Sequence, residues 1–189
     1  MTEQQLIKRM KNGDEDAFTQ FFDQYRNTIY NFGIRFCGNP EDASDILQET
    51  LINTFKYIGN FKGNAKLSTW LYRVASNACL QKRRKESSME GSLDQLLETS
   101  HEAATDSSFH PHDNLVQKEA AKVIENAILK LPADYRIPFL LREVERLPYQ
   151  EIADVLEASL SNAKVRVHRA RLMLREMVAE YFKGVPGEL

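Results

Sequence analysis

Pro148-Tyr149-Gln150-Glu151-Ile152-Ala153-Asp154-Val155-Leu156, then Glu157-Ala158-Ser159-Leu160, then Ser161-Asn162-Ala163-Lys164-Val165-Arg166-Val167-His168-Arg169-Ala170-Arg171-Leu172-Met173-Leu174-Arg175 read as a short helix, a four-residue turn and a second helix. In the first helix Ile152 and Leu156 share the inward face, and Ala153 is small enough to let the second helix approach. Ser161 is a good N-cap for that second helix. There Ala163, Val167, Ala170 and Leu174 recur at helical spacing and pack inward. Lys164, Arg166, His168, Arg169, Arg171 and Arg175 fill the remainder, and no acidic residue occurs between Ser161 and Arg175. A basic face alone is usually only a solvated face. The short helix, turn, cap and acid-free basic helix together describe a helix-turn-helix that fits a major groove and meets phosphate with its N-terminal N–H groups.

Outward from this stretch the chain continues as helix. Toward the N-terminus, helical patterns are expected at about 115–131 and 133–143, with Pro132 and Pro148 at helix starts, where a missing N–H costs least. Near the beginning, a short helix over 6–10 stops at Asn12-Gly13. Asp14 then caps a helix to about Cys37, with Phe18, Phe21, Phe22, Tyr25, Ile29, Phe32 and Phe36 every three or four residues. Asn39 as cap and Pro40 at the first position start the next, whose apolar stripe is Ala43, Ile46, Leu47, Leu51, Phe55 and Ile58. A polar loop at 59–66 leads to a helix over 67–85 that ends on Lys82-Arg83-Arg84-Lys85.

Residues 86–114 lose periodicity and are rich in Ser, Glu and Asp. A structureless stretch of that length seldom lies inside an ordered domain. The expected fold is therefore all-α, with two small helical domains at 1–85 and 115–189 joined by a flexible acidic linker at 86–114.

Composition agrees with this division. The 189 residues are 42% hydrophobic, enough for packed cores, and the formal net charge is only -2. That near-neutral total conceals basic-leaning ends. Residues 1–85 carry 13 Lys/Arg against 9 Asp/Glu, whereas 86–115 carry 7 acidic residues and no Lys or Arg. Cys37 and Cys79 have no metal-like spacing and read as buried thiols in a reducing compartment. His101, His110 and His112 lack partner cysteines, so no metal is expected, and nothing indicates a cofactor. The polar N-terminus has no signal core, and no apolar run approaches the ~20 residues of a membrane span. A cytoplasmic protein with no membrane insertion is expected.

Three stretches carry a resemblance. Leu131-Pro132-Ala133-Asp134-Tyr135-Arg136, Phe139-Leu140-Leu141-Arg142-Glu143-Val144-Glu145, Tyr149-Gln150-Glu151-Ile152-Ala153 and Lys164-Val165-Arg166-Val167-His168-Arg169-Ala170-Arg171 together resemble region 4 of bacterial extracytoplasmic-function sigma factors. Asp42-Ala43-Ser44-Asp45-Ile46-Leu47-Gln48-Glu49-Thr50 resembles their region 2.2. Phe61-Lys62-Gly63 with Ser68-Thr69-Trp70-Leu71-Tyr72-Arg73-Val74-Ala75-Ser76-Asn77 looks like regions 2.3 and 2.4. These motifs stand in family order on both sides of the linker.

The resemblance implies a factor that binds core RNA polymerase through its β′ clamp helices and β flap, reads promoter DNA, and is held by an anti-sigma factor. It places Asp42, Asp45, Gln48, Glu49 and Asn53 on the polymerase face, where a carboxylate and amide surface suits a basic coiled coil. It places Phe61, Lys62, Asn64, Lys66, Trp70, Tyr72, Arg73, Asn77, Arg83 and Arg84 at the −10 element. There Phe61 offers a stacking plane, the lysines meet phosphate, and an asparagine pairs with a flipped base. Trp70 reads equally as a core aromatic. At the −35 element it places Asn162, Lys164, Val165, Arg166, His168, Arg169 and Arg171, with Arg166 and Arg171 on phosphate or bracing the fold.

Two departures from the family pattern stand out: Ser161-Asn162-Ala163 where many members have Gly-Thr-Val, and Glu157 where Gly is frequent. If the Glu157 site is left-handed, glutamate costs about 1 kcal/mol there. The acidic linker would mimic RNA phosphate in the polymerase cleft, or serve as a plain tether. A helix-turn-helix regulator acting without polymerase is the alternative, but it would carry a sensor domain that residues 1–85 do not resemble. An enzyme would need a phosphate loop, nucleophile motif or metal spacing, and none is present.

Overall fold

The computed structural model describes residues 2–90 and 115–182, with side chains for 2–85 and 119–179. Most of the expected linker, 91–114, lies outside the described residues, and so do His101, His110 and His112.

Helices α1 (Glu3–Lys11), α2 (Glu15–Cys37), α3 (Pro40–Tyr57) and α4 (Leu67–Glu90) form the first bundle. Local chemistry sets their ends. Thr2 and Gln5 make a reciprocal capping box that starts α1 earlier than its apolar residues alone suggest. Asp14 caps α2 through the Ala17 N–H, and Asn39 caps α3 through the Asp42 N–H at 2.8 Å, both as expected. Gly38 ends α2 in the left-handed conformation (φ 85°). Helix α4 runs on to Glu90, five residues beyond the boundary expected from its charged end.

The first core gathers Phe21, Ile29 and Phe32 of α2, Ile46 of α3, and Leu67, Leu71 and Cys79 of α4, with Leu6 and Met10 of α1 closing one end. A Cβ on Gly33 would lie 3.2 Å from Ala43 Cα, so Gly33 lets α2 and α3 approach closely. Burial holds the Cys79 thiol well above its ordinary pKa. Two expected apolar-face positions are overturned: Phe22 is 36% exposed, and Phe55 is 64% exposed with its ring 4.8 Å from Phe18. Helix α3 buries Ala43, Ile46, Thr50 and Thr54, and this stripe rotates Phe55 out of the core.

Helices α5 (Leu115–Lys130), α6 (Ala133–Phe139), α7 (Tyr149–Val155) and α8 (Leu160–Phe182) form the second bundle around Leu131, Ile137, Leu140, Leu141, Ile152 and Val167. Pro138 lies inside α6 rather than at a boundary. It removes one backbone donor, and the following residues, Leu140–Val144, widen into a π turn closed by the Glu145 N–H on the Leu140 carbonyl.

The recognition-helix cap is Ser159, not Ser161. Its hydroxyl accepts from the Asn162 N–H at 3.2 Å, and the helix starts at Leu160. The left-handed site at Glu157 is present (φ 50°), and Arg146 (φ 56°) is a second. Arg146→Gly is expected to raise the unfolding free energy by about 0.5–1 kcal/mol, because relief of the Cβ clash is partly offset by the greater freedom of glycine when unfolded. A urea melt that moves the other way would contradict this.

The two bundles pack on each other, α4 against α7 and α2 against α5, and buried side chains from both form one continuous cluster. At this junction a Cβ on Gly38 would meet Leu129 Cδ1 at 2.6 Å. Arg136 of α6 reaches across to donate to the Phe36 carbonyl at the end of α2.

Candidate nucleic-acid interface

In the helix-turn-helix, Ile152, Ala153 and Val155 of α7 share one buried cluster with Ala163 of α8, while Ala170 and Leu174 farther along α8 pack with Ala127 and Leu131. The turn is closed by the Ala158 N–H on the Ala153 carbonyl at 3.0 Å. This packing leaves Asn162, Lys164, Val165 and His168 exposed at the front of α8, and Val165 is 44% exposed despite being apolar. Arg169 is exposed beside the Tyr135 hydroxyl, at 3.4 Å. Arg171 bonds Glu143 at 2.5 and 3.1 Å; that bond holds its guanidinium above the ordinary range and makes it a brace within the bundle. Arg166 is half-buried and lines a cleft toward the first bundle together with Asn77.

In the first bundle, a 3-10 turn at Ile58–Asn60 and a left-handed Gly63 (φ 75°) shape the loop between α3 and α4. The loop walls a cavity of about 290 Å³ lined by Asn60, Phe61, Lys62, Asn64, Trp70 and Arg73, among others. Phe61 and Trp70 are only 5% and 8% exposed and meet edge to face at 5.6 Å. The expected stacking plane at Phe61 is thus corrected: both rings belong to the core and present the cavity with a wall, not an open face. Tyr72 is likewise buried, its hydroxyl on Glu145, and burial followed by that carboxylate keeps it protonated well above its usual pKa. Lys62 and Asn64 are exposed at the rim. Asn77 is exposed too, but in the separate cleft. Arg83 and Arg84 are exposed near the end of α4.

The sequence reading missed Thr69. With Lys66 and Arg73 it occupies steps of three and four residues, so one helical face carries all three, and that spacing was the available signal. Each meets a carboxylate of the second bundle. Glu151 accepts from Lys66 Nζ at 3.0 Å and from Thr69 Oγ1 at 2.6 Å, and Glu157 faces Arg73 at 3.4 Å. The Thr69 hydroxyl, then Lys66, hold the Glu151 carboxyl below its ordinary range against an opposing effect of burial. Asp154 borders the cavity.

On α3, Gln48 and Glu49 are exposed, and Glu49 accepts from the half-buried Asn53 at 3.2 Å. Asp42 and Asp45 both meet Lys82 of α4, at 2.6 and 2.9 Å. Burial opposes charge on Lys82, but these two bonds outweigh it and hold its ammonium above the ordinary range. Ile52 (43% exposed) and Phe55 continue the same face, so an apolar step adjoins the acidic one.

Among the described residues no group of three or more His, Cys, Asp or Glu could hold a metal ion, and no helix is long and apolar enough to cross a membrane. Two family models match the chain: Sigma-70 region 2 over residues 21–89, and Sigma-70, region 4 over residues 121–174. The ECF RNA polymerase sigma factor SigW of Bacillus subtilis is 35% identical over 179 residues, covering 92% of this chain and 95% of that protein. The RNA polymerase sigma-H factor of Pseudomonas aeruginosa is 30% identical over 175 residues, covering 89% and 90%. In fold, the chain is similar to the sigma factor RpoE solved with the anti-sigma factor NepR from Bartonella quintana (TM-score 0.66, 22% identity, 86% and 96% covered). It is also similar to CnrH solved with the cytosolic domain of CnrY (TM-score 0.67, 18% identity, 94% and 97% covered).

Proposed function

We infer the working surfaces of this chain from one premise: it belongs to the sigma-70 family, as an extracytoplasmic-function RNA polymerase sigma factor. It binds core RNA polymerase and directs promoter-specific transcription initiation. The names of the relatives support this and lend nothing to a free-standing regulator. It contributes recognition and leaves catalysis to the polymerase, so its place of action is the cytoplasm. An anti-sigma factor is its expected inhibitor.

The −10 element is read on the cavity side of the first bundle. Asn60, Lys62 and Asn64, all exposed along the cavity, give donors and acceptors for the edge of a flipped base, and Phe61 with Trp70 shapes the wall it enters. Lys66, Thr69 and Arg73 form the phosphate track alongside, and Arg83 and Arg84 extend it along α4. The −35 element is read by Asn162, Lys164, Val165, His168 and Arg169 at the front of α8, with Val165 suited to a thymine methyl. Arg171 serves the fold. The acidic face of α3 takes the polymerase clamp. The domains are assigned to 1–90, which takes in all of α4, and 115–189, with the stretch between as tether.

The observation that carries this reading is the pairing of two unlike surfaces in one chain: a cavity with an aromatic wall and a rim of asparagine and lysine, and an exposed, acid-free front on α8. Run-off transcription with purified core polymerase tests it. Adding the chain should produce discrete start sites from a library of cellular promoters, and no start site on any promoter would sink the reading. Asn64→Ala and Asn77→Ala should each slow open-complex formation about tenfold while leaving core affinity within about twofold. Equal losses in both measurements would remove those residues from the DNA face.

A further inference from the structure

We propose that the second bundle occludes the DNA face of the first by presenting carboxylates where backbone phosphates would lie, so that the free chain is closed until polymerase separates the bundles. This rests on the assignment of the Lys66–Thr69–Arg73 track to −10 DNA.

The pairing is systematic. Lys66 and Thr69 share Glu151, Arg73 faces Glu157, and Tyr72 donates to Glu145, which also lies 3.5 Å from Arg35. Asp154 stands at the cavity. Glu151, Asp154 and Glu157 lie three residues apart, so α7 and its turn present one acidic stripe to the basic track. A nucleic-acid strand would bring the same chemistry: negative oxygen acceptors at regular steps, meeting ammonium, guanidinium and hydroxyl donors. Strand and stripe cannot occupy the track together.

The contact is also packed. Val155 and Leu156 of the second bundle and Leu71 and Ala75 of the first belong to one apolar cluster, and the Leu129 side chain packs where any side chain on Gly38 would lie. The closed arrangement turns the half-buried Arg166 of the recognition helix toward the cleft that Asn77 also lines. The outer pairs are weak by design of their surroundings: Lys66 is 69% exposed and Glu157 72%. Glu151 and Glu145 are 20% and 15% exposed and carry more of the closure. A clasp of this kind is one that a large polymerase surface can open.

The test uses the full chain. Glu145→Ala/Glu151→Ala/Glu157→Ala is compared with wild type and with a charge-matched control, Glu15→Ala/Glu119→Ala/Glu125→Ala, each checked for folding by circular dichroism. The triple variant should show a larger radius of gyration by X-ray scattering. It should also bind a labelled single strand of about 12 nucleotides, taken from the −10 region of a promoter found by run-off, at least about tenfold tighter than wild type. The control should stay compact, with a gain under about twofold. Lys66→Glu should expand the chain, and Lys66→Glu/Glu151→Lys should restore its compactness.

An unchanged radius in the triple variant, or an equal DNA gain in the control, would overturn the proposal. The underlying assignment is checked separately. If polymerase carrying Lys66→Ala/Arg73→Ala forms open complexes as wild type does, the track is not a −10 surface, and the occlusion proposal falls with it even if the chain expands.

Discussion

Arg136→Met is expected to lower the unfolding free energy by about 3 kcal/mol, the largest stability loss from any single exchange of similar volume at the junction of the bundles. Arg136 is 7% exposed and donates to the backbone carbonyls of Leu129, Leu131 and Phe36. Those carbonyls lie at or just beyond the ends of α5 and α2, where the helix leaves acceptors without intrahelical donors and concentrates negative potential. One planar guanidinium thus closes two helix ends, and it also lies 5.1 Å from the centre of the Phe36 ring. Methionine keeps the packing volume but strands buried acceptors. Arg136→Lys should recover less than half the loss, because a single ammonium cannot span carbonyls that a rigid fork reaches together. Thermal and urea denaturation followed by circular dichroism measures both variants, and a loss under about 1 kcal/mol for Arg136→Met would mean water replaces the guanidinium at little cost.

Arg136 also marks what a sequence reading can reach. Helix existence and most caps were legible, because Asp14 and Asn39 act on N–H groups three residues away. The left-handed site at Glu157 was signalled only by the glycine frequent there in the family the chain resembles. Ser159 and Ser161 both offer a hydroxyl near the start of α8, and only the backbone path chooses between them. Phe55 was misplaced because an apolar residue at helical spacing does not declare which side of a helix meets a partner. The buried positions of Phe61 and Trp70 depend on a loop folding back onto α4, a contact set by the whole bundle. Least legible were the pairs joining the bundles. Thr69 and Glu151 are separated by 82 residues and Tyr72 and Glu145 by 73, and no local period encodes such distances. A net charge of only -2 and a plausible linker hid the match between the acidic stripe and the basic track.

Phe55→Ala should weaken binding to core polymerase by about 2 kcal/mol, roughly 30-fold, while Lys56→Ala stays within about twofold. The expectation follows from what α3 leaves in solvent. Asp42 and Asp45 are already bonded to Lys82, so part of the acidic face is satisfied before any partner arrives. Gln48 and Glu49 remain exposed, and next to them a 64%-exposed phenyl ring and a 43%-exposed isoleucine stand on the same side of the helix. In protein interfaces such apolar anchors supply most of the affinity once water is excluded, whereas rim charges mainly steer the encounter. The variant should remain folded, since the ring is largely exposed and its contact with Phe18 is worth about 0.5–1.5 kcal/mol at most. Salt separates the two contributions. The loss at Glu49→Gln should shrink between low and high ionic strength, because an exposed charge is screened, while the loss at Phe55→Ala should persist. Fluorescence titration of labelled chain with core polymerase at two salt concentrations reads both. If Phe55→Ala binds as wild type does, or if its loss fades with salt as the Glu49 loss does, the ring is not an anchor and the polymerase face is the acidic patch alone.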